Sequence, residues 1–214
     1  KVGGNSTGLE VLFHASKLDK GLDDAESLQC IIRDVCKHQE WLSRQPTEAI
    51  IGLINKASEV WQDPEFELSE FRERGLSFLV DWCRSANLRQ LADFSLHGRR
   101  SYLDGFSVLP NSLLRQMRAV PKGLAVHWLS GNVPVLGMLT LVQAMVSKNA
   151  NLLKASSSYS HAVPALLSAF EGLEYTTPGG YCISGDELLR TVSIICYGHG
   201  DEDLADMISE VADV

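Results

Sequence analysis

The sequence predicts an α/β protein: a mainly helical region over residues 1–120, then part of an open parallel sheet over residues 121–214. Three observations carry this expectation. Apolar residues recur every three or four positions through most of the first hundred residues, and after Gly123 short β-rich runs alternate with helical ones. The chain also stops just after a helical run, where such a fold would begin another strand, so the sheet is expected to be incomplete.

In the first half, residues 26–42 and 46–61 set Ile31 and Val35, then Ile50, Leu53, Ile54 and Ala57, on single stripes, and Pro46 suits a first helical turn. Asp63-Pro64 marks a break. A third helical run covers residues 68–84, with Leu76, Leu79, Val80 and Cys83 on one face, and residues 87–96 continue it after a bend. Residues 9–13 (LEVLF) look like the start of a protease-cleavage linker. His14 stands where such a linker carries Gln, so native sequence is the preferred reading.

In the second half, strands are expected at residues 124–129, 151–154 and 191–197, and helices at Pro134–Val146, 160–170 and Glu202–Val211. Consecutive β-α units call for parallel pairing through right-handed crossovers. The helix at Pro134–Val146 is apolar on nearly every side, which places it in the interior between the sheet and another layer.

Composition bounds the function. With 45% hydrophobic residues the chain is an ordinary globular protein. No stretch reaches the roughly 18 apolar residues of a membrane span, and residues 1–8 lack a signal peptide's apolar region, so a cytoplasmic location is expected. Nineteen basic against 27 acidic side chains give a net charge of −8, without a basic, aromatic-interleaved run, which argues against nucleic-acid binding. The five cysteines are scattered and form no C-x-x-C pair, so neither a disulfide framework nor a metal site is expected, and most are read as buried thiols. Lys122 and Lys148 read as surface lysines, and His127, inside an apolar strand, as a satisfied core histidine.

The chemically informative stretch is residues 121–158. Within it H-W-L-S-G-N-V-P (127–134) precedes the apolar helix, and K-N-A-N-L-L-K (148–154) follows it. This pattern is similar to acyl-thioester reductases of the LuxC type, the fatty-acid reductases of luminescence. It is more distantly similar to aldehyde dehydrogenases, where an N-x-P turn, a helix and a G-N-x-x-x-x-K strand follow one another. The helical first half resembles the family only in diffuse patterning.

The resemblance implies an aldehyde-dehydrogenase-like Rossmann cofactor domain behind the helical region. It implies NADPH-dependent reduction of acyl-CoA, or of an acyl-protein thioester, to a fatty aldehyde through a covalent cysteine thioester. That cysteine is expected beyond Val214: none of the five present sits in a matching motif, and Cys182 in G-G-Y-C is only superficially nucleophile-like. The chain alone is therefore not expected to turn over substrate. A non-catalytic cofactor-binding or assembly module of the same fold is the alternative, and homo-oligomerisation is open.

By the same resemblance, Asn132 matches an oxyanion-hole amide, with Trp128 and Leu129 on the pocket floor. Gly131-Asn132 also reads as a plain turn. Lys154 matches a lysine that reaches the adenosine ribose. Ser157 stands where many NAD-preferring relatives carry a glutamate, so Lys154 with Ser156, Ser157 and Ser158 favours the 2′-phosphate of NADPH. The serines equally cap a helix starting near Ser160. Gly198 and Gly200, in Tyr197-Gly198-His199-Gly200, match a glycine turn near the cofactor pyrophosphate. Asp201, Glu202 and Asp203 would repel an anion there, so an ordinary strand-to-helix turn is the competing reading.

Overall fold

The computed structural model describes residues 8–68, 75–110, 112, 114–129, 134–156, 161–198 and 200–214. Strand β1 (Glu10–His14) is followed by helices α1 (Asp24–Ser43), α2 (Thr47–Val60), α3 (Leu76–Trp82) and α4 (Ser85–Ser95), then a 3-10 turn at Arg100–Leu103. A short hairpin of β2 (Ser107–Val108) and β3 (Gln116–Met117) leads into β4 (Leu124–Trp128), α5 (Pro134–Val146) and β5 (Ala150–Lys154). After these come α6 (Ala162–Leu167), a hairpin of β6 (Glu174–Thr176) and β7 (Cys182–Ser184), α7 (Gly185–Leu189), β8 (Val192–Cys196) and α8 (Glu202–Val211).

The main sheet has the order β1-β8-β5-β4. Strands β4, β5 and β8 are mutually parallel, as the β-α alternation requires. The linker-like segment instead forms the antiparallel edge strand β1, paired with β8. Along the free side of β4, the Val126 amide donates to the Val214 carbonyl (2.8 Å) and the Val214 amide to the Leu124 carbonyl (3.3 Å). That staggered exchange is a parallel pairing, so the last residues lie on the side of β4 away from β5.

Helices cover both sheet faces. On one, Leu28, Ile31 and Val35 of α1 and Leu204 and Ile208 of α8 meet Leu124, Leu152 and Ile195. On the other, α2, α5 and α6 pack over Leu153 and Ile194. Met138, Leu141, Val142 and Met145 of α5 are buried there, so the all-round apolar helix takes the interior place its composition demands. Each such side chain contributes about 1.5–3 kcal/mol by leaving water.

Local chemistry sets the helix bounds. A capping box starts α1: the Glu26 amide donates to Asp23 (2.8 Å), and the Asp23 amide to Glu26 (3.2 Å). The third helical run appears as α3 and α4, separated where Arg84 turns extended (ψ 138°). Residues 69–74 lie outside the described set.

Two readings of single residues are corrected. Lys148 is not on the surface: it is 2% exposed, at φ 65°, and its ammonium donates to the Leu103 carbonyl and to Asp104, both at 2.8 Å. The turn after α5 aims it inward, where Asp104 supplies the opposite charge. The cysteines are not mostly buried. Cys83 and Cys196 are, Cys30 is half-buried, and Cys36 and Cys182 are exposed, on the outer side of α1 and on the β6–β7 hairpin. Lys122 is exposed, as expected. Among the described residues no helix is long and apolar enough to cross a membrane, and no His, Cys, Asp and Glu side chains cluster as a metal site.

Candidate functional site

Because β4, β5 and β8 run parallel, their carboxyl ends open on one edge of the sheet. At β4 the order reverses, with β5 and β8 on one side and the Val214 backbone on the other. Open α/β sheets bind ligands outside the carboxyl ends of their strands at such a reversal.

A cleft of about 360 Å³ occupies part of this edge, lined by Trp128, Leu129, Lys154, Tyr197, Gly198 and Asp201, with Glu202 and Ala205 from α8. Strand pairing assembles it. The Leu129 amide donates to the Lys154 carbonyl (3.0 Å) and the Ala155 amide to Ile195 (2.8 Å), which carries the register past the strand ends. Gly137 lets α5 seat against Leu129: a Cβ there would lie 2.9 Å from a Leu129 methyl. Trp128, another lining residue, is 54% exposed.

The cleft is electrically divided. On the β5 side stands Lys154, its Nζ 5.0 Å from the centre of the Tyr197 ring. On the α8 side stand Asp201 and Glu202, whose carboxylates favour a helix start. The Gly198 amide donates to Asp201 (3.0 Å), so the glycine turn already holds an anion of its own. The Tyr197 hydroxyl is buried and has no hydrogen-bond partner among the described residues. Burial, and secondarily the charge of Asp201, push its pKa up to about 12, which keeps the phenol neutral. An ammonium facing two carboxylates suits a ligand with an anionic group at one end and hydroxyl donors at the other, as a phosphorylated ribose has.

Of the residues singled out in the sequence, Lys154, Gly198, Trp128 and Leu129 meet in this cleft. Gly200 lies in the turn that opens α8. Asn132 and Ser157 lie outside the described residues, as do Ser158 and His199. His127 is half-buried, 3.1 Å from the Thr140 hydroxyl and 3.2 Å from the Asn151 side-chain oxygen. Burial lowers its pKa, partly offset by Asn151, so it is a neutral structural group. Cys196 borders the site, but burial raises its thiol pKa more than Lys154 lowers it, the opposite of an activated nucleophile. The part played by Tyr197 was missed in the sequence; an aromatic residue directly before a G-x-G at a strand's carboxyl end was the available signal.

Comparisons with known proteins bear on the family and on the fold. A family model described as acyl-CoA reductase (LuxC) matches residues 42–214. A long-chain acyl-protein thioester reductase of Photorhabdus luminescens is 30% identical over 149 residues, covering 69% of this chain and 28% of that protein. Another from Aliivibrio fischeri is 34% identical over 100 residues, 46% of this chain and 19% of that protein. The matched stretches thus cover less than a third of the length of these relatives. Among solved structures, the glyceraldehyde-3-phosphate dehydrogenase GapN of Methanocaldococcus jannaschii, complexed with NADP, aligns with a TM-score of 0.53 at 15% identity, over 82% of this chain and 37% of that one. Proline utilization A of Bdellovibrio bacteriovorus aligns with a TM-score of 0.60 at 12% identity, over 94% of this chain and 22% of that one. At such identities the likeness is one of fold.

Proposed function

That this chain belongs to the acyl-CoA reductase (LuxC) family is the premise from which we propose its function: it supplies cofactor-domain structure to a reductase that converts acyl-CoA or acyl-protein thioesters to fatty aldehydes with NADPH. The observation that carries the proposal is the cleft at the carboxyl edge of the parallel sheet, with the Lys154 ammonium on its β5 wall. When bound, the reduced nicotinamide supplies the hydride.

In this reading Lys154 binds the adenosine ribose and its 2′-phosphate, and Ser157, carrying no charge, does not repel that phosphate. Gly198 and Gly200 leave room for the pyrophosphate backbone. Asn132 donates its amide hydrogen to the thioester oxygen as negative charge develops there, an interaction worth about 2.7–4 kcal/mol of barrier in comparable sites. The attacking cysteine belongs to a part of the protein beyond this chain.

Calorimetric titration of the 214-residue chain with NADPH and NADH at fixed ionic strength tests the proposal. Lys154→Ala is expected to weaken both cofactors, NADPH the more, and Ser157→Glu to weaken NADPH selectively. Equal losses for the two cofactors in Ser157→Glu would remove the adenosine end from that position.

A further inference from the structure

We propose that Tyr197 is a positioning residue for Lys154, its ring acting as the platform that holds the ammonium over the cleft and out of reach of Asp201 and Glu202. The inference rests on the cofactor reading above, since it concerns how the cleft's cation stays available to an anionic ligand.

Three observations carry it. Lys154 makes no ion pair among the described residues, although two carboxylates line the same cleft. A lysine's flexible stem lets its ammonium take many positions, so a contact that fixes one of them sets where the charge stands. The ammonium instead lies 5.0 Å from the Tyr197 ring centre, within the roughly 6 Å over which a cation is attracted to an aromatic face.

The platform is buried and in register. Lys154 pairs across the sheet with Ile195, and Tyr197, two residues on, belongs to the same face. Its ring is 7% exposed and is packed with Ile195, Leu204 and Ile208. The hydroxyl, by contrast, is buried without a hydrogen-bond partner among the described residues, so the ring and not the oxygen does the positioning. Phenylalanine should therefore serve as well as tyrosine, and leucine should not.

The test compares Tyr197→Phe and Tyr197→Leu in the 214-residue chain, each with and without Lys154→Ala, by NADPH calorimetry and by NMR of the Lys154 ε-methylene. The ε-protons are expected to carry an upfield ring-current shift in the unaltered chain and in Tyr197→Phe, and to lose it in Tyr197→Leu. The NADPH Kd should change less than about twofold in Tyr197→Phe and rise about fivefold in Tyr197→Leu. In the Lys154→Ala background Tyr197→Leu should add nothing, which a general packing defect would not reproduce. Unshifted ε-protons in the unaltered chain, or an equal loss from Tyr197→Leu with and without Lys154, would overturn the proposal. So would a Tyr197→Phe chain as impaired as Tyr197→Leu. If the leucine variant does not fold, Tyr197→Met takes its place. A chain that binds no dinucleotide would refute the cofactor reading instead, and the ring-current shift would still decide whether Tyr197 holds Lys154.

Discussion

The Lys148 ammonium and the Asp104 carboxylate lie 2.8 Å apart, and the same carboxylate oxygen accepts the Thr47 amide at 2.8 Å and the Thr47 hydroxyl at 2.7 Å. One oxygen thus joins the turn before β5 to the start of α2. Helix α2 has no side-chain cap of its own at Pro46, so Asp104 serves as a cap from 57 positions away.

Removing the lysine should therefore destabilise the chain without touching the cleft. Lys148→Ala leaves Asp104 without its counter-ion and Leu103 without a donor. It is expected to cost about 2 kcal/mol, below the range for a fully buried pair because Asp104 is 40% exposed. Urea denaturation measures the loss. NADPH affinity should not move, because Lys148 precedes the amino end of β5 and the cleft lies at the other.

Stability should also fall on mild acidification. His14 is held 2.7 Å from the Ser193 hydroxyl and 3.4 Å from Asp34, and His38 stands nearby on α1. Burial pushes its pKa below the ordinary 6.5, with Asp34 opposing and His38 adding to the shift. The folded chain therefore takes up this proton less readily than the unfolded one. Stabilisation is complete above about pH 6.5 and is lost as pH falls from there through the folded value. His127, shifted in the same direction by burial, contributes a slope of the same sign. Denaturation midpoints between pH 7.5 and 5 (about that interval) should decline in the unaltered chain and decline less in His14→Gln.

Gly52 sets two effects against each other. In mid-helix an alanine is favoured over glycine by about 1 kcal/mol, yet a Cβ at Gly52 would lie 2.0 Å from the Tyr175 ring. Overpacking costs about 1–3 kcal/mol, so Gly52→Ala should be net destabilising by about 1 kcal/mol. Combining it with Tyr175→Ala should remove the clash and leave the helix gain, a non-additivity that a double-mutant cycle would show.

Asn132 is to be tested in an intact enzyme, where the chemistry can be followed. Asn132→Ala should lower the acylation rate by about 10² to 10³ with little change in cofactor affinity, because in the proposed role the amide acts on the transition state. Unchanged kinetics would leave it a turn residue.

The cysteines offer a labelling test. Cys83, its pKa pushed up to about 12 by burial, should resist iodoacetamide until the chain unfolds, whereas exposed Cys182 should react in the native state. Replacing all five by serine in the full-length protein should leave thioester cleavage measurable. Acyl-enzyme formation traced to any of the five would refute the assignment of the nucleophile elsewhere.

The sequence displayed most clearly the elements whose pattern is local. Helices α5 and α8 occur at the expected residues because a long apolar run and an amphipathic run each announce themselves within one element. The hairpin of β6 and β7 went unread although Pro178-Gly179-Gly180 marks its turn, since strands of three residues are too short to show alternation. Lys148 defeated the local reading for a different reason: its partner Asp104 is 44 positions away, and nothing in the surrounding residues signals a buried charge. In the candidate site, Lys154 was legible from the resemblance of K-N-A-N-L-L-K to a strand pattern that ends in lysine. The Tyr197 ring beside it depends on pairing between β5 and β8, which composition does not reveal.

The antiparallel strand β1 also bears on how the molecule comes together. His14 and Ser193, which face each other across its pairing with β8, are 179 positions apart. Loop-closure entropy must be spent before contacts so distant in sequence return anything, and such pairings form slowly. The parallel strands are therefore expected to gather first, leaving the wholly buried strand Val192–Cys196, apolar except for Ser193, as an open edge until β1 arrives. During that interval another chain can add to the same edge, so refolding yield should drop with protein concentration, and β1 amides should gain protection last in pulsed hydrogen exchange.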